Sequence, residues 1–126
     1  MKAKTKVFLI VDDEPDMCWA LEHMLKRNGF LSKTALNGQE AIRLMESNRF
    51  RVAFLDAKLP DIEGLELARR FREIDPGIHI VMISGYFYRD DDDVQNAMAE
   101  GLIKGFIGKP FDHDEILKSI KTANAP

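Results

Sequence analysis

The sequence predicts an α/β domain built on a five-stranded parallel sheet covered by helices on both faces. Three observations carry this. Short apolar runs of strand length recur along the chain, and Val52 to Leu55 is apolar at every position, the mark of a strand buried on both faces. Between these runs lie stretches with apolar residues at helical spacing. Strand and helix therefore alternate five times, which calls for βαβ crossovers, right-handed in nearly all such units. Finally, four of the five runs give out into charged or hydroxyl side chains: Asp12 and Asp13, Asp56, Ser84 and Lys109. Parallel strands place all of these at one carboxyl edge, where open α/β sheets hold ligands.

Taken in order, Lys6 to Val11 reads as the first strand, ending in Asp12-Asp13-Glu14. Pro15 suits the first turn of a helix, Met17, Leu21, Met24, Leu25 and Asn28 follow at helical spacing, and Gly29 stops it. A second strand spans about Leu31 to Ala35. Asn37-Gly38 turns the chain into a second helix with the stripe Ala41, Ile42, Leu44, Met45. After the Val52–Asp56 strand, Asp61 is expected to cap a third helix through Leu65, Leu67, Ala68 and Phe71, closed by Asp75-Pro76-Gly77. Ile78 to Ile83 is the fourth strand, ending in Ser84-Gly85. A loop with Tyr86-Phe87-Tyr88 and the acids Asp90 to Asp93 leads to a helix through Val94, Ala97 and Met98, stopped near Gly101. The fifth strand, about Ile103 to Ile107, ends at Gly108-Lys109-Pro110. Asp112 and Glu115 match a capping box for a last helix through Ile116, Leu117 and Ile120. Residues 1–122 then form one domain, with 123–126 a tail or the start of a linker.

Length and composition bound the function. One hundred and twenty-six residues, 45% hydrophobic and 31% charged, suit one globular domain. A net charge of −3 leaves no electrostatic footprint for nucleic acid or an anionic membrane. Lys2, Lys4 and Lys6 precede an apolar run, but Val7 to Val11 is too short for a signal peptide and ends in acids. No stretch is long enough to span a bilayer. The single cysteine, Cys18, excludes an internal disulfide and fits a reducing compartment, so a cytoplasmic protein is expected. His23, His79 and His113 fall on different elements and read as structural, and Asp90 to Asp93 as a solvated loop and helix start. Tyr86-Phe87-Tyr88 is equally compatible with local packing and with a partner-binding patch.

The carboxyl edge is where chemistry is expected. Asp12, Asp13 and Asp56 gathered there would repel one another, and a hard divalent cation relieves this. An all-carboxylate cluster suits Mg²⁺, whereas Zn²⁺ would call for His or Cys. An ionised Asp can also attack phosphorus to give an aspartyl phosphate. The transferring group then needs its oxygens neutralised from several sides, by the cation, by the Lys109 ammonium, and by the Ser84 hydroxyl with nearby backbone N–H groups.

Val11-Asp12-Asp13-Glu14, Leu55-Asp56-x-x-Leu59-Pro60 with Gly64, Ile83-Ser84-Gly85 and Lys109-Pro110-Phe111 together resemble the receiver domain of two-component response regulators, in order and over essentially the whole chain. The resemblance implies a flavodoxin-like, doubly wound sheet of order 2-1-3-4-5. It implies Asp56 as phosphoacceptor, taking its group from a histidine kinase or phosphotransfer protein. Mg²⁺ would be held by Asp12, Asp13, Asp56 and the backbone carbonyl of Lys58. Lys109 would pair with the phosphoryl group, through a residue whose bond to Pro110 is cis. Ser84 and Phe106 would act as the switch, re-shaping the face made by the fourth helix, fifth strand and last helix for an output domain or protein, with homodimerisation on phosphorylation as one outcome. Lys58 and Tyr86 hold positions that tune phosphoryl lifetime. Such a domain catalyses only its own phosphorylation and dephosphorylation, and works alone or as the receiver of a longer regulator. Two features depart from the family pattern. The stretch from Ser84 to Lys109 is slightly long, and Phe106 lacks the hydroxyl of the common tyrosine. The rival readings are a phosphorylation-independent docking scaffold of the same fold and, less favoured because Lys58 stands two residues after Asp56, a Mg²⁺-dependent phosphatase.

Overall fold

The apolar runs become strands because each can be buried from two sides. Residues 7–85 and 91–124 are described by the computed structural model; expectations placed on Lys2, Lys4, Lys6, Tyr86-Phe87-Tyr88, Asp90 and Ala125-Pro126 lie outside them. The chain runs β1 (Val7–Val11), α1 (Pro15–Arg27), β2 (Leu31–Ala35), α2 (Gly38–Ser47), β3 (Val52–Asp56), α3 (Gly64–Ile74), β4 (His79–Ser84), α4 (Asp92–Glu100), β5 (Gly105–Gly108) and α5 (His113–Asn124). The strands form one sheet in the order β2-β1-β3-β4-β5, parallel throughout. This is the flavodoxin-like doubly wound fold.

Strand periodicity divides the continuous runs between two cores. Leu9, Val11, Ala53, Leu55, Ile80 and Met82 face Ala41 and Met45 of α2, Leu67, Ala68 and Phe71 of α3, and Val94 and Ala97 of α4. Phe8, Ile10, Val52, Phe54, Val81 and Ile83 face Cys18, Leu21 and Leu25 of α1 and Ile116 and Ile120 of α5. Every residue of β3 is buried, and each large apolar side chain so buried contributes about 2 kcal/mol. The edge strand β2 instead leaves Leu31 and Lys33 exposed.

Local signals explain the helix ends. Pro15 opens α1, and the Asn37 side chain caps α2 by accepting from Glu40 N–H at 2.8 Å. Asp91 does the same for α4 through Asp93 N–H at 2.8 Å. The Asp112–Glu115 capping box forms, Asp112 Oδ1 accepting from Glu115 N–H at 2.9 Å and Glu115 Oε1 from Asp112 N–H at 3.4 Å. Gly101 ends α4 in the left-handed region, at φ +79°, which a side chain would disfavour.

Three expectations are corrected. Asp61 does not cap the third helix: α3 begins behind Glu63, which makes no side-chain cap, and the Asp61 carboxylate turns to α2 instead. Asn28 stands just past α1 as its C-terminal cap rather than within it. The fifth strand starts at Gly105, not Ile103. Leu102 and Ile103 still donate their N–H groups to Ala97 at the end of α4, which delays the ladder. Among the described residues no helix is long and apolar enough to cross a membrane.

Candidate functional site

Parallel strands bring the ends of β1, β3, β4 and β5 side by side. Val11 pairs with Leu55, Asp56 with Ile83, and Ser84 with Gly108, so the residues that follow or close these strands share one edge. Asp12 is buried, anchored by its N–H to Ala35 at 3.1 Å, and its Oδ1 accepts from Glu14 N–H at 2.9 Å. Asp56 is 8% exposed, while Asp13 is open to solvent. Carboxylate oxygens of Asp12, Asp13 and Asp56 all lie within 4.8 Å of one another.

Lys109 reaches into this cluster. Its Nζ donates to Asp12 Oδ2 at 2.7 Å, lies 3.4 Å from Glu14 Oε1 and 3.7 Å from Asp56 Oδ2. The Lys109–Pro110 bond is cis, and Lys109 N–H donates to Ser84 O at 2.8 Å, tying the start of the β5–α5 loop to the end of β4. Burial pulls the Lys109 ammonium down. The hydrogen bond and charge of Asp12, with those of Asp56 and Glu14, more than offset this, and its pKa lies above the ordinary lysine value. One ammonium does not balance three carboxylates. Burial first, and the Asp12 charge second, push the Asp56 carboxyl up to about 6, against the pull of Lys109.

The loop after β3 is folded tightly against the site. Lys58 N–H approaches Asp56 Oδ1 at 3.4 Å, Lys58 bridges to Glu63, and Gly64 N–H closes the loop on Ala57 O at 2.9 Å. A Cβ at Gly64 would stand 2.6 Å from Asp56 O and 2.9 Å from Ala57 Cα, so glycine is required there by close backbone approach. Ser84 is buried at the end of β4. Phe106, half-buried opposite Met82, packs against the α2–α3–α4 core. The Lys58 side chain is exposed, and Tyr86 lies outside the described residues. Behind Asp12, the buried Cys18 thiol donates to Asp12 O at 3.4 Å. Burial, then the Asp12 charge, push it up to about 11.

The structure thus brings together Asp12, Asp13, Asp56, Ser84 and Lys109, and adds Glu14 as a third carboxylate on Lys109. It also shows two roles that sequence patterns did not reveal. Asp61 binds backbone N–H groups of α2. Arg72 gives its guanidinium to the carbonyls of Pro76, Ile78, Gly101 and Leu102 at the far edge of the sheet. Their partners are backbone groups, which no residue type announces.

With this geometry in view, the comparisons with known proteins agree. The family model for the response regulator receiver domain matches residues 8–121, and the chain belongs to that family: it is a two-component receiver domain, a signalling module. It is 31% identical over 113 residues to the sporulation initiation phosphotransferase F of Bacillus subtilis, covering 90% of this chain and 89% of that protein. A response regulator receiver protein of Anaeromyxobacter is 36% identical over 110 residues, 87% of this chain and 45% of its own length. Among solved structures, the response regulator TrrA of Thermotoga maritima, in complex with Mg²⁺ and BeF, superposes with a TM-score of 0.82 at 30% identity, covering 94% of this chain and 99% of that one. A CheY-like receiver from Methanospirillum hungatei gives 0.84 at 27% identity, covering 96% of this chain and 93% of its own.

Proposed function

We propose that this chain accepts a phosphoryl group on Asp56 from the phosphohistidine of a histidine kinase or phosphotransfer protein, with Mg²⁺, and passes the change to an output domain or protein. The observation that carries this reading is the convergence of buried Asp56, two further carboxylates and the Lys109 ammonium at one strand edge. The donor set fits Mg²⁺: it is all oxygen, spans at most 4.8 Å, and carries more negative charge than Lys109 neutralises. Asp12, Asp13, Asp56 and the Lys58 carbonyl would hold the ion, which when bound supplies counter-charge to the carboxylates and to a phosphoryl oxygen. TrrA, solved with Mg²⁺ and BeF, supports this by likeness.

The remaining work belongs to the chain's own groups. Asp56, largely ionised at neutral pH even in the metal-free protein, attacks phosphorus. The Oδ–P bond forms as the N–P bond of the phosphohistidine breaks, and the imidazole leaves with the electron pair. Lys109 exchanges one of its carboxylate contacts for a phosphoryl oxygen, and the Ser84 hydroxyl hydrogen-bonds another. Ser84 and Phe106 then couple the modified edge to the face of α4, β5 and α5, with homodimerisation as one readout. Lys58 and Tyr86 set how fast water removes the group. The receiver runs to the end of α5 at Asn124, two residues past the expected boundary at 122. The chain acts in the cytoplasm on protein partners, binds no nucleic acid or membrane itself, and turns over no separate substrate.

Intact mass after incubation with acetyl phosphate tests the reading. One added phosphoryl group is expected in the wild type with Mg²⁺, and none without Mg²⁺ or in Asp56→Asn. Absence of any adduct, together with no response to beryllofluoride, would overturn it in favour of a phosphorylation-independent docking module.

A further inference from the structure

The loop that follows the phosphoacceptor is held from outside the site. Asp61, at its tip, accepts from Gly38 N–H at 2.8 Å through Oδ1 and from Gln39 N–H at 3.0 Å through Oδ2. Both donors belong to the first turn of α2, whose N–H groups have no partner within the helix and whose dipole favours an anion. The bond to Gly38, then that to Gln39, hold the Asp61 carboxyl below its ordinary value even though the group is exposed. Ile62 closes the same joint: a Cβ on Gly38 would stand 2.3 Å from Ile62 Cγ2, so loop and helix are in contact with no room for a side chain between them.

α2 already has a cap of its own in Asn37. Asp61 is therefore a second anchor on the same turn, supplied by a segment 23 positions further along the chain. The loop's other end is fixed by Lys58 N–H on Asp56 Oδ1, the Lys58–Glu63 bridge and Gly64 N–H on Ala57 O. Without the Asp61 contact, the tip of the loop loses its side-chain hydrogen bonds to α2.

We infer that Asp61 is a positioning residue for the metal and phosphoryl site: by clipping the β3–α3 loop to the N-terminus of α2 it pre-sets the backbone of Lys58 beside Asp56. The inference rests on the receiver reading for its functional consequence, while the clip itself is a property of the metal-free protein. Groups that hydrogen-bond a metal's ligands directly are worth about tenfold or more in affinity, which sets the upper bound for a contact that acts through the loop backbone.

Three variants separate positioning from stability. Asp61→Ala removes both acceptors, Asp61→Asn keeps one, and Asn37→Ala weakens the cap of α2 without touching the loop. Amide hydrogen exchange in EDTA is followed at residues 57–64, and Mg²⁺ alone is titrated by calorimetry at a temperature where all the proteins are fully folded. In Asp61→Ala, exchange at Lys58 and Gly64 is expected to quicken about tenfold and the Mg²⁺ dissociation constant to rise about tenfold. Asp61→Asn should fall between, and Asn37→Ala should leave both at the wild-type level although its Tm is lower. Unchanged exchange in Asp61→Ala, or an equal change in Asn37→Ala, would overturn the positioning role. A wild type that binds no Mg²⁺ would remove the receiver reading instead, and the clip would then stand or fall on exchange alone.

Discussion

The two edges of the sheet both bury charge, and they treat it in opposite ways. At the amino edge Arg72 donates to four carbonyls, those of Pro76, Ile78, Gly101 and Leu102. Its pKa is lowered by burial, with the nearby Asp75 charge acting in the other direction. Asp75 beside it accepts from Gly77 N–H at 3.1 Å and approaches Arg49 at 3.7 Å. Charge there is spent on joining three loops. At the carboxyl edge three carboxylates share one ammonium, and Asp56 is driven up to about 6. That edge carries an excess that folding alone does not explain. A guanidinium matched to carbonyls marks structure, whereas three carboxylates around one ammonium mark a site suited to a cation.

The contrast can be broken first at the amino edge. Arg72→Met removes the guanidinium donor from the partly buried carbonyls of Ile78, Gly101 and Leu102, and urea unfolding is expected to show a loss of about 2 kcal/mol. Mg²⁺ affinity of the folded fraction should not change, and a parallel loss of metal binding would show that the two edges are not independent. At the carboxyl edge the sign reverses. Asp56→Asn removes a carboxylate that its neighbours repel, so the metal-free protein is expected to gain about 1 kcal/mol of stability at pH 7, read by the same unfolding experiment in EDTA. A loss of that size would mean that Lys109 already balances the cluster.

A smaller effect sharpens the comparison through pH. His79, at the start of β4, is held below its ordinary value by burial, and then by the charges of Lys104 and Arg72. At this site the folded state therefore binds less proton than the unfolded one as pH falls through the ordinary histidine range, so the His79 contribution to stability is lost below about pH 6.5, while Asp56, pushed up to about 6, works in the opposite direction in both proteins. His79→Gln cannot take up that proton. Its unfolding free energy should fall less steeply than the wild type's between pH 7.5 and 5.5, and equal slopes would sink the assignment.

How much of this was legible in the sequence depended on what the partner was. Val52 to Leu55 followed by Asp56, Val11 followed by Asp12 and Asp13, and Ile83 followed by Ser84 could be read because an apolar run ending in a polar side chain leaves a mark in both residue type and order. The two cores were not separable in those runs, since every position is apolar and only the sheet's geometry says that Phe54 faces α1 and Leu55 faces α3. Asp61 departs from its expected role for a different reason. An acid shortly before a helix is the ordinary sign of a cap, and the competing donors, Gly38 and Gln39 N–H, are main-chain groups far away in sequence. Arg72 escaped notice similarly. The early start expected for the fifth strand fails at Ile103, an apolar residue that is buried yet precedes β5.

Cys18 has a consequence for anyone who would watch this protein move. It is the chain's single cysteine, buried on the inner face of α1 with its sulfur turned to Asp12 O and its thiol pushed up to about 11. Thiol reagents act on the thiolate, so the native protein is close to inert toward maleimides and iodoacetamide at neutral pH. A cysteine introduced at an exposed position, such as Lys118 on α5 or Gln95 on α4, would be labelled alone. Spin labels or dyes can thus be placed on the faces that flank the sheet without first rebuilding the wild-type background.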